Sequence, residues 1–175
     1  MRRWLAVAAL VLVAVAAVYW FLIRDQTVTP QVHVPELTAT IGSGEEAVGV
    51  SSSGQIVTFM PVPEDQQLPQ LPLGEVPKSG HLGGPVLEQA KVLGAAPAPL
   101  RPYLERSYYG ESGVDVDLTS GIELRFGDDS QAKLKWKAAA AILADPSITA
   151  LDYVDLTAPH RPSYGGEGHL LPAVE

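Results

Sequence analysis

The chain has no cysteine, so it holds no disulfide framework, no thiol nucleophile and no thiolate metal site. It has no asparagine either, which excludes an N-glycosylation acceptor. Basic residues are scarce: with Arg2 and Arg3 set aside from the 12 lysines and arginines, ten remain against 20 acidic residues. A surface of that sign repels phosphate backbones and anionic lipid, which excludes nucleic-acid binding. His33, His81, His160 and His169 are dispersed, with no two at i, i+4, so a histidine metal site has no close ligand pair to start from. Neither a Gly-x-Ser-x-Gly nucleophile elbow nor a phosphate loop ending in Lys-Ser/Thr is present. No cofactor is implied.

What is present begins with an apolar run. Trp4 to Ile23 contains no charged residue, proline or glycine, and at about 1.5 Å rise per residue it reaches about 30 Å, the thickness of a bilayer core. Arg2 and Arg3 precede it, so the positive-inside tendency keeps the N-terminus cytoplasmic. The alternative is a cleaved signal peptide with Ala14-Val15-Ala16 as its small-residue site, which would leave the apolar stretch Val18 to Ile23 at a free N-terminus. Tyr19 and Trp20 suit an interfacial aromatic belt and favour the anchor. The expected organisation is a cytoplasmic tail (1–3), a transmembrane helix (4–23), a tether (24–44), an extracytoplasmic β domain (45–165) and a C-terminal tail (166–175).

The tether is expected to hold one short strand around Gln31 to Val34. Ala47 to Val50 and Gln55 to Met60 read as a hairpin around Ser51-Ser52-Ser53-Gly54. Pro61 to Gly84 is too rich in proline and glycine for a helix or a central strand, and reads as an ordered wrap anchored by Leu68, Leu71, Leu73 and Val76, with a disordered segment as the alternative. Pro85 opens a helix whose apolar face is Val86, Leu87, Ala90 and Leu93, ending at Gly94. Leu104 to Tyr109, Val114 to Thr119 and Gly121 to Phe126 then read as strands, the last two joined by a tight turn. Asp128 or Asp129 is expected to cap a second helix with a buried stripe of Leu134, Ala138, Ala141 and Ile142, and Ile148 to Thr157 forms the final strand. The fold class is α+β, a mostly antiparallel sheet with helices on one face, behind a single transmembrane helix.

Three groups of residues carry possible chemistry. Asp115 and Asp117 share one strand face and suit an acid/base or cation pair, although Val114, Val116 and Leu118 alternating with them predict a solvated face. Lys133, Lys135 and Lys137 suit an acidic partner or a solvated helix face. Trp136, off the expected stripe, is either shoulder packing or an exposed partner anchor.

At several of these residues the chain resembles the C-terminal β domain of the bacterial cell division family FtsQ (DivIB). The pieces that carry the resemblance are, in order, Val48-Gly49-Val50 with Gly54-Gln55-Ile56-Val57, then Leu68-Pro69-Gln70-Leu71-Pro72, Gly121-Ile122-Glu123-Leu124-Arg125-Phe126-Gly127, the Lys133 to Leu143 helix, and Tyr153-Val154-Asp155-Leu156. It covers about residues 45 to 165. The resemblance implies a non-enzymatic, bitopic inner-membrane protein of the division septum, whose outer domain holds the FtsB and FtsL pair. It also implies that the last strand is a sheet edge to which a segment of FtsB adds. The chain departs from the family's pattern between anchor and β domain, where Asp25 to Glu46 is far short of the expected polypeptide-transport-associated (POTRA) domain.

Carried onto this sequence, the partner edge is Tyr153, Val154, Asp155, Leu156, Thr157 and Ala158. Val154 and Leu156 face inward, and Tyr153, Asp155 and Thr157 outward. Pro159 and Pro162 lack an N–H, so His160 and Tyr164 are expected to meet the partner by side chain. Two readings of other classes stand beside this one: an envelope enzyme or regulator acting on peptidoglycan through Asp115 and Asp117, and a secreted binding domain. An inward-facing cluster of carboxylates in a pocket would favour the enzyme.

Overall fold

Tight reversals and two helical crossovers decide the order of the sheet. A computed structural model describes residues 35–42, 44–59, 61, 62 and 67–170. Its strands are β1 (Leu37–Ile41), β2 (Val48–Ser51), β3 (Ile56–Val57), β4 (Gln70–Leu71), β5 (Leu104–Gly110), β6 (Gly113–Leu118), β7 (Glu123–Gly127), β8 (Ala150–Asp155) and β9 (Ser163–Leu170). They form a single sheet in the order β3-β2-β1-β4-β5-β6-β7-β8-β9. Hairpins make β1/β2, β2/β3, β5/β6, β6/β7 and β8/β9 antiparallel. The β7/β8 pair is parallel because a helix carries the chain back between them, and β4 is parallel to both β1 and β5.

The sheet is mixed, with five antiparallel and three parallel pairings, so the α+β class holds and its membrane span is what needs correcting. No helix among the described residues is long and apolar enough to cross a membrane, and the expected span 4–23 lies outside them. The expected strand around 31–34 also lies outside the described residues. In its place, β1 lies within the stretch expected as tether, with all five residues of Leu-Thr-Ala-Thr-Ile buried.

Helix α1 (Gly84–Gly94) starts with a proline in its first turn and packs against β1, β5 and β6; α2 (Ala132–Leu143) packs against β7 and α1. The buried face of α2 is Ala132, Lys135, Trp136, Ala139 and Ile142. It is therefore rotated from the expected stripe, leaving Leu134 and Ala138 half-buried and Ala141 exposed. Trp136 decides the rotation. Its ring is fully buried 4.8 Å from Phe126, and its indole N–H donates to the Val92 carbonyl at 2.7 Å, joining the two helices. It is core, and not an exposed anchor.

Lys135 is also not on a solvated face. It is 2% exposed, and its ammonium donates to the carbonyls of Phe126 (2.8 Å) and Asp128 (3.1 Å) and to the Asp128 carboxylate. Three acceptors are what a buried ammonium needs. The same bond holds the Asp128 carboxyl below its ordinary range, with Ser130 adding to the effect. Asp128 accepts from Ser130 and Lys135, Asp129 pairs with Lys91 of α1 at 2.6 Å, and neither caps α2. Gln131, with φ 52°, occupies the cap position without a side-chain bond.

Candidate partner-binding edge

The rim of a sheet is where backbone N–H and C=O groups stay open to another chain. At one rim, β3 is two residues long, and its outer side is tied by Ile56 N–H to Gly80 O and by a bridge between Gln55 and His81. At the other rim lies β9, eight residues paired with β8 alone. Among the described residues nothing pairs with its second edge.

This moves the expected edge by one strand. Tyr153, Val154 and Asp155 pair with Glu123, Leu124 and Arg125 of β7 on one side and with Gly165, Tyr164 and Ser163 of β9 on the other. Leu156 is fully buried and donates its N–H to Arg125 O at 2.8 Å. The interior position follows from the reversal at Ala158 to Pro162, in which Arg161 N–H bonds Ala158 O and the two prolines turn the chain back as β9. Thr157 and Ala158 are exposed in this reversal, as is His160. The structure thus gathers the expected residues at one end of the sheet, but the open backbone belongs to Tyr164 and its neighbours.

Sequence reasoning missed β9 because Gly165, Gly166 and Gly168 lower its strand propensity. All three glycines have contact reasons, Gly168 because a Cβ there would fall 2.3 Å from Asp152 Oδ1. A Cβ on Gly165 would lie 3.1 Å from the Tyr153 hydroxyl and 3.3 Å from its ring, so the phenol lies across that glycine toward the rim. At Gly166, with φ +88°, a Cβ would fall 2.1 Å from the Asp152 carboxylate. Asp152 accepts the Gly168 N–H at 2.9 Å, where the β8/β9 register shifts between Leu151 and Tyr153. The shift sets Gly166, Glu167 and Gly168 opposite Asp152 alone, at the point where β8 breaks strict alternation and sends Leu151, Val154 and Leu156 all into the core. It also leaves Ser163 to Gly165 as the regular part of the free edge, beside the exposed Tyr164 (51%).

Registers across the sheet assemble two polar rows ending at this rim. One is Arg106, Asp117, Glu123, Tyr153 and Gly165; the other is Tyr108, Asp115, Arg125, Asp155 and Ser163. Arg106 donates to Asp117 at 2.7 Å, Arg125 to Glu123 at 2.5 Å, and the Arg125 guanidinium stands 4.2 Å over the Tyr153 ring. These long side chains cover the middle strand. Asp115 and Asp117 are only 5% and 9% exposed, so the face expected to be solvated is closed by its own arginines and tyrosines. Burial, with the Asp117 charge next, pushes the Tyr108 hydroxyl up to about 12. A cleft of about 480 Å³ beside β4 is lined by Gln70, Leu71, Pro72, Leu73, Arg106, Ser107 and Tyr108, and contains neither carboxylate.

Burial, followed by the charge of Glu123, pushes the Asp115 carboxyl up to about 6. Unfolded, it titrates near about 4, so the folded chain holds this proton to higher pH. The resulting stabilisation is full below about pH 4 and lost as pH rises through about 6. The shift corresponds to at most about 3 kcal/mol, of which a buried asparagine amide, itself desolvated, recovers about 1 kcal/mol. Asp115→Asn is therefore expected to stabilise the domain by about 1 kcal/mol at pH 7.5 and to change little at pH 4. Urea unfolding at the two pH values checks this; an equal loss at both would remove Asp115 as the source.

A family model described as Cell division protein FtsQ/DivIB, C-terminal, matches residues 39–157, more than half of the chain. No individual curated protein matches it. The matched stretch starts inside β1 and stops just after β8, so β9 lies beyond it.

Proposed function

The chain belongs to the FtsQ/DivIB cell division family, and on that footing we propose that it is a non-catalytic scaffold of the septum. In this role it holds FtsB- and FtsL-type partners by accepting one of their segments as an extra strand on β9. Edge addition gives affinity through main-chain hydrogen bonds, and specificity through alternate side chains on either face. The observation that carries this reading is the one-sided pairing of β9. Tyr164 supports it, as a half-exposed aromatic beside the open ladder, since tyrosine anchors are favoured at interfaces. Tyr153 and Asp155 serve from the next strand, Val154 and Leu156 hold β8 to the core, and Thr157, Ala158 and His160 line the reversal that presents β9.

A photo-reactive phenylalanine analogue at Tyr164 is expected to cross-link an FtsB-type protein in dividing cells. The same analogue at Phe59, exposed beside the opposite rim, is expected to give no such adduct. Mass spectrometry of the adducts reads the result. Cross-linking at Phe59 without cross-linking at Tyr164 would move the partner to the β3 rim and defeat the proposal.

A further inference from the structure

The end of the sheet that presents β9 also indicates what side chain the visiting strand carries, an inference that rests on β9 being the docking edge. The open-face row through Asp155 ends at Ser163, and the row through Tyr153 ends at Gly165, so only small residues separate these two groups from the rim. The Tyr153 phenol already reaches over Gly165. Asp155 uses one carboxylate oxygen, Oδ1, which accepts from Thr157 N–H at 2.9 Å and Thr157 Oγ1 at 2.6 Å. Among the described residues no donor reaches its Oδ2.

The charge on this face is unbalanced. Asp115, Asp117, Glu123 and Asp155 share the two rows with Arg106 and Arg125 as their cations. Those two guanidiniums hydrogen-bond Asp117 and Glu123. Asp115 Oδ1 is buried with no hydrogen-bond partner. The face therefore presents surplus negative charge in the row that runs out through Asp155 to the rim.

We propose that the strand captured by β9 carries a lysine or arginine on this face, at the position paired with Ser163, and that its cation is bound by Asp155 beside the Tyr153 phenol. Strands lie about 4.8 Å apart, so that position is about 10 Å from Asp155. A four-carbon ammonium stem and an aspartate carboxylate close such a span between them, provided nothing bulky intervenes. Ser163 leaves that path clear, whereas an acidic side chain there would add to the surplus.

The test uses the full chain and two blocked octapeptides of alternating threonine and valine. They differ at one central position, lysine in one and glutamate in the other, and are titrated at low salt while β9 amides are followed by NMR. The lysine peptide is expected to bind about tenfold more tightly than the glutamate peptide. Asp155→Asn keeps the Oδ1 acceptor for Thr157, so the turn survives, and the preference should fall to about twofold or less. Asp155→Arg should reverse it. If both peptides shift β9 amides with equal affinity, the charge assignment is overturned while the docking edge stands. If neither peptide binds, the docking edge fails and the charge assignment goes with it.

Discussion

Replacing Trp136 with alanine should destabilise the domain by about 3–5 kcal/mol, a large share of the roughly 5–15 kcal/mol that holds an ordinary domain together. The indole is fully buried, packs 4.8 Å from Phe126, and donates to the Val92 carbonyl in the last turn of α1. That carbonyl also accepts the Ala95 N–H at 3.2 Å, so the indole adds a second bond to it and fastens α2 to α1. Alanine would remove the packing, leave a cavity and take away the donor. Trp136→Phe keeps most of the ring volume and should cost about 1–2 kcal/mol, mainly through the missing donor. Thermal melting is the measurement. A fall of more than about 10 °C is expected for alanine; a loss of only a few degrees would mean that the helices are held on the sheet mainly by other contacts.

The same residue marks the limit of what helical spacing in the sequence determines. Helical periodicity alone favours Leu134, Ala138, Ala141 and Ile142, of which only Ile142 is buried, and it puts Lys135 on a wet face. The structure turns the helix so that the largest ring is buried, and Lys135 follows it inward because three oxygens wait at the β7–α2 corner. No spacing rule contains that corner. The hairpin from Val114 to Phe126 was readable because its alternation and its turn agree with the local backbone.

Both ends of the sheet were harder to read. β1 looks like linker because threonines flank its apolar residues, yet pairing with β2 and β4 buries all five positions. β9 looks like a tail because its glycines answer to Tyr153 and Asp152 of the neighbouring strand and not to any pattern of their own. Tyr153, Asp155 and Tyr164, expected at a partner edge, do lie together at one end of the sheet. The open backbone was assigned one strand too early.

Gly166→Val should abolish partner capture while leaving most of the fold in place. A β-branched residue at φ +88° is a backbone outlier, and its Cβ would lie 2.1 Å from Asp152 Oδ2 and 2.2 Å from its Cγ. Little opposes the detachment of β9. Its large apolar side chains, Tyr164 and Leu170, remain 51% and 77% exposed, and no β9 residue belongs to the hydrophobic core. The strand is held mainly by ladder hydrogen bonds, each contributing about 1 kcal/mol net, so a strain of a few kcal/mol is enough to peel it away. Amide exchange along Ser163–Leu170 should accelerate by about 100-fold or more, whereas β5, β6 and β7 keep their protection and the melting temperature falls by only a few degrees. Cross-linking through position 164 should disappear with it. Retained protection and retained cross-linking would mean that the bulge tolerates the side chain. Detachment of β9 with undiminished partner capture would instead exclude it as the docking strand, and would return attention to the backbone that β9 leaves uncovered on β8.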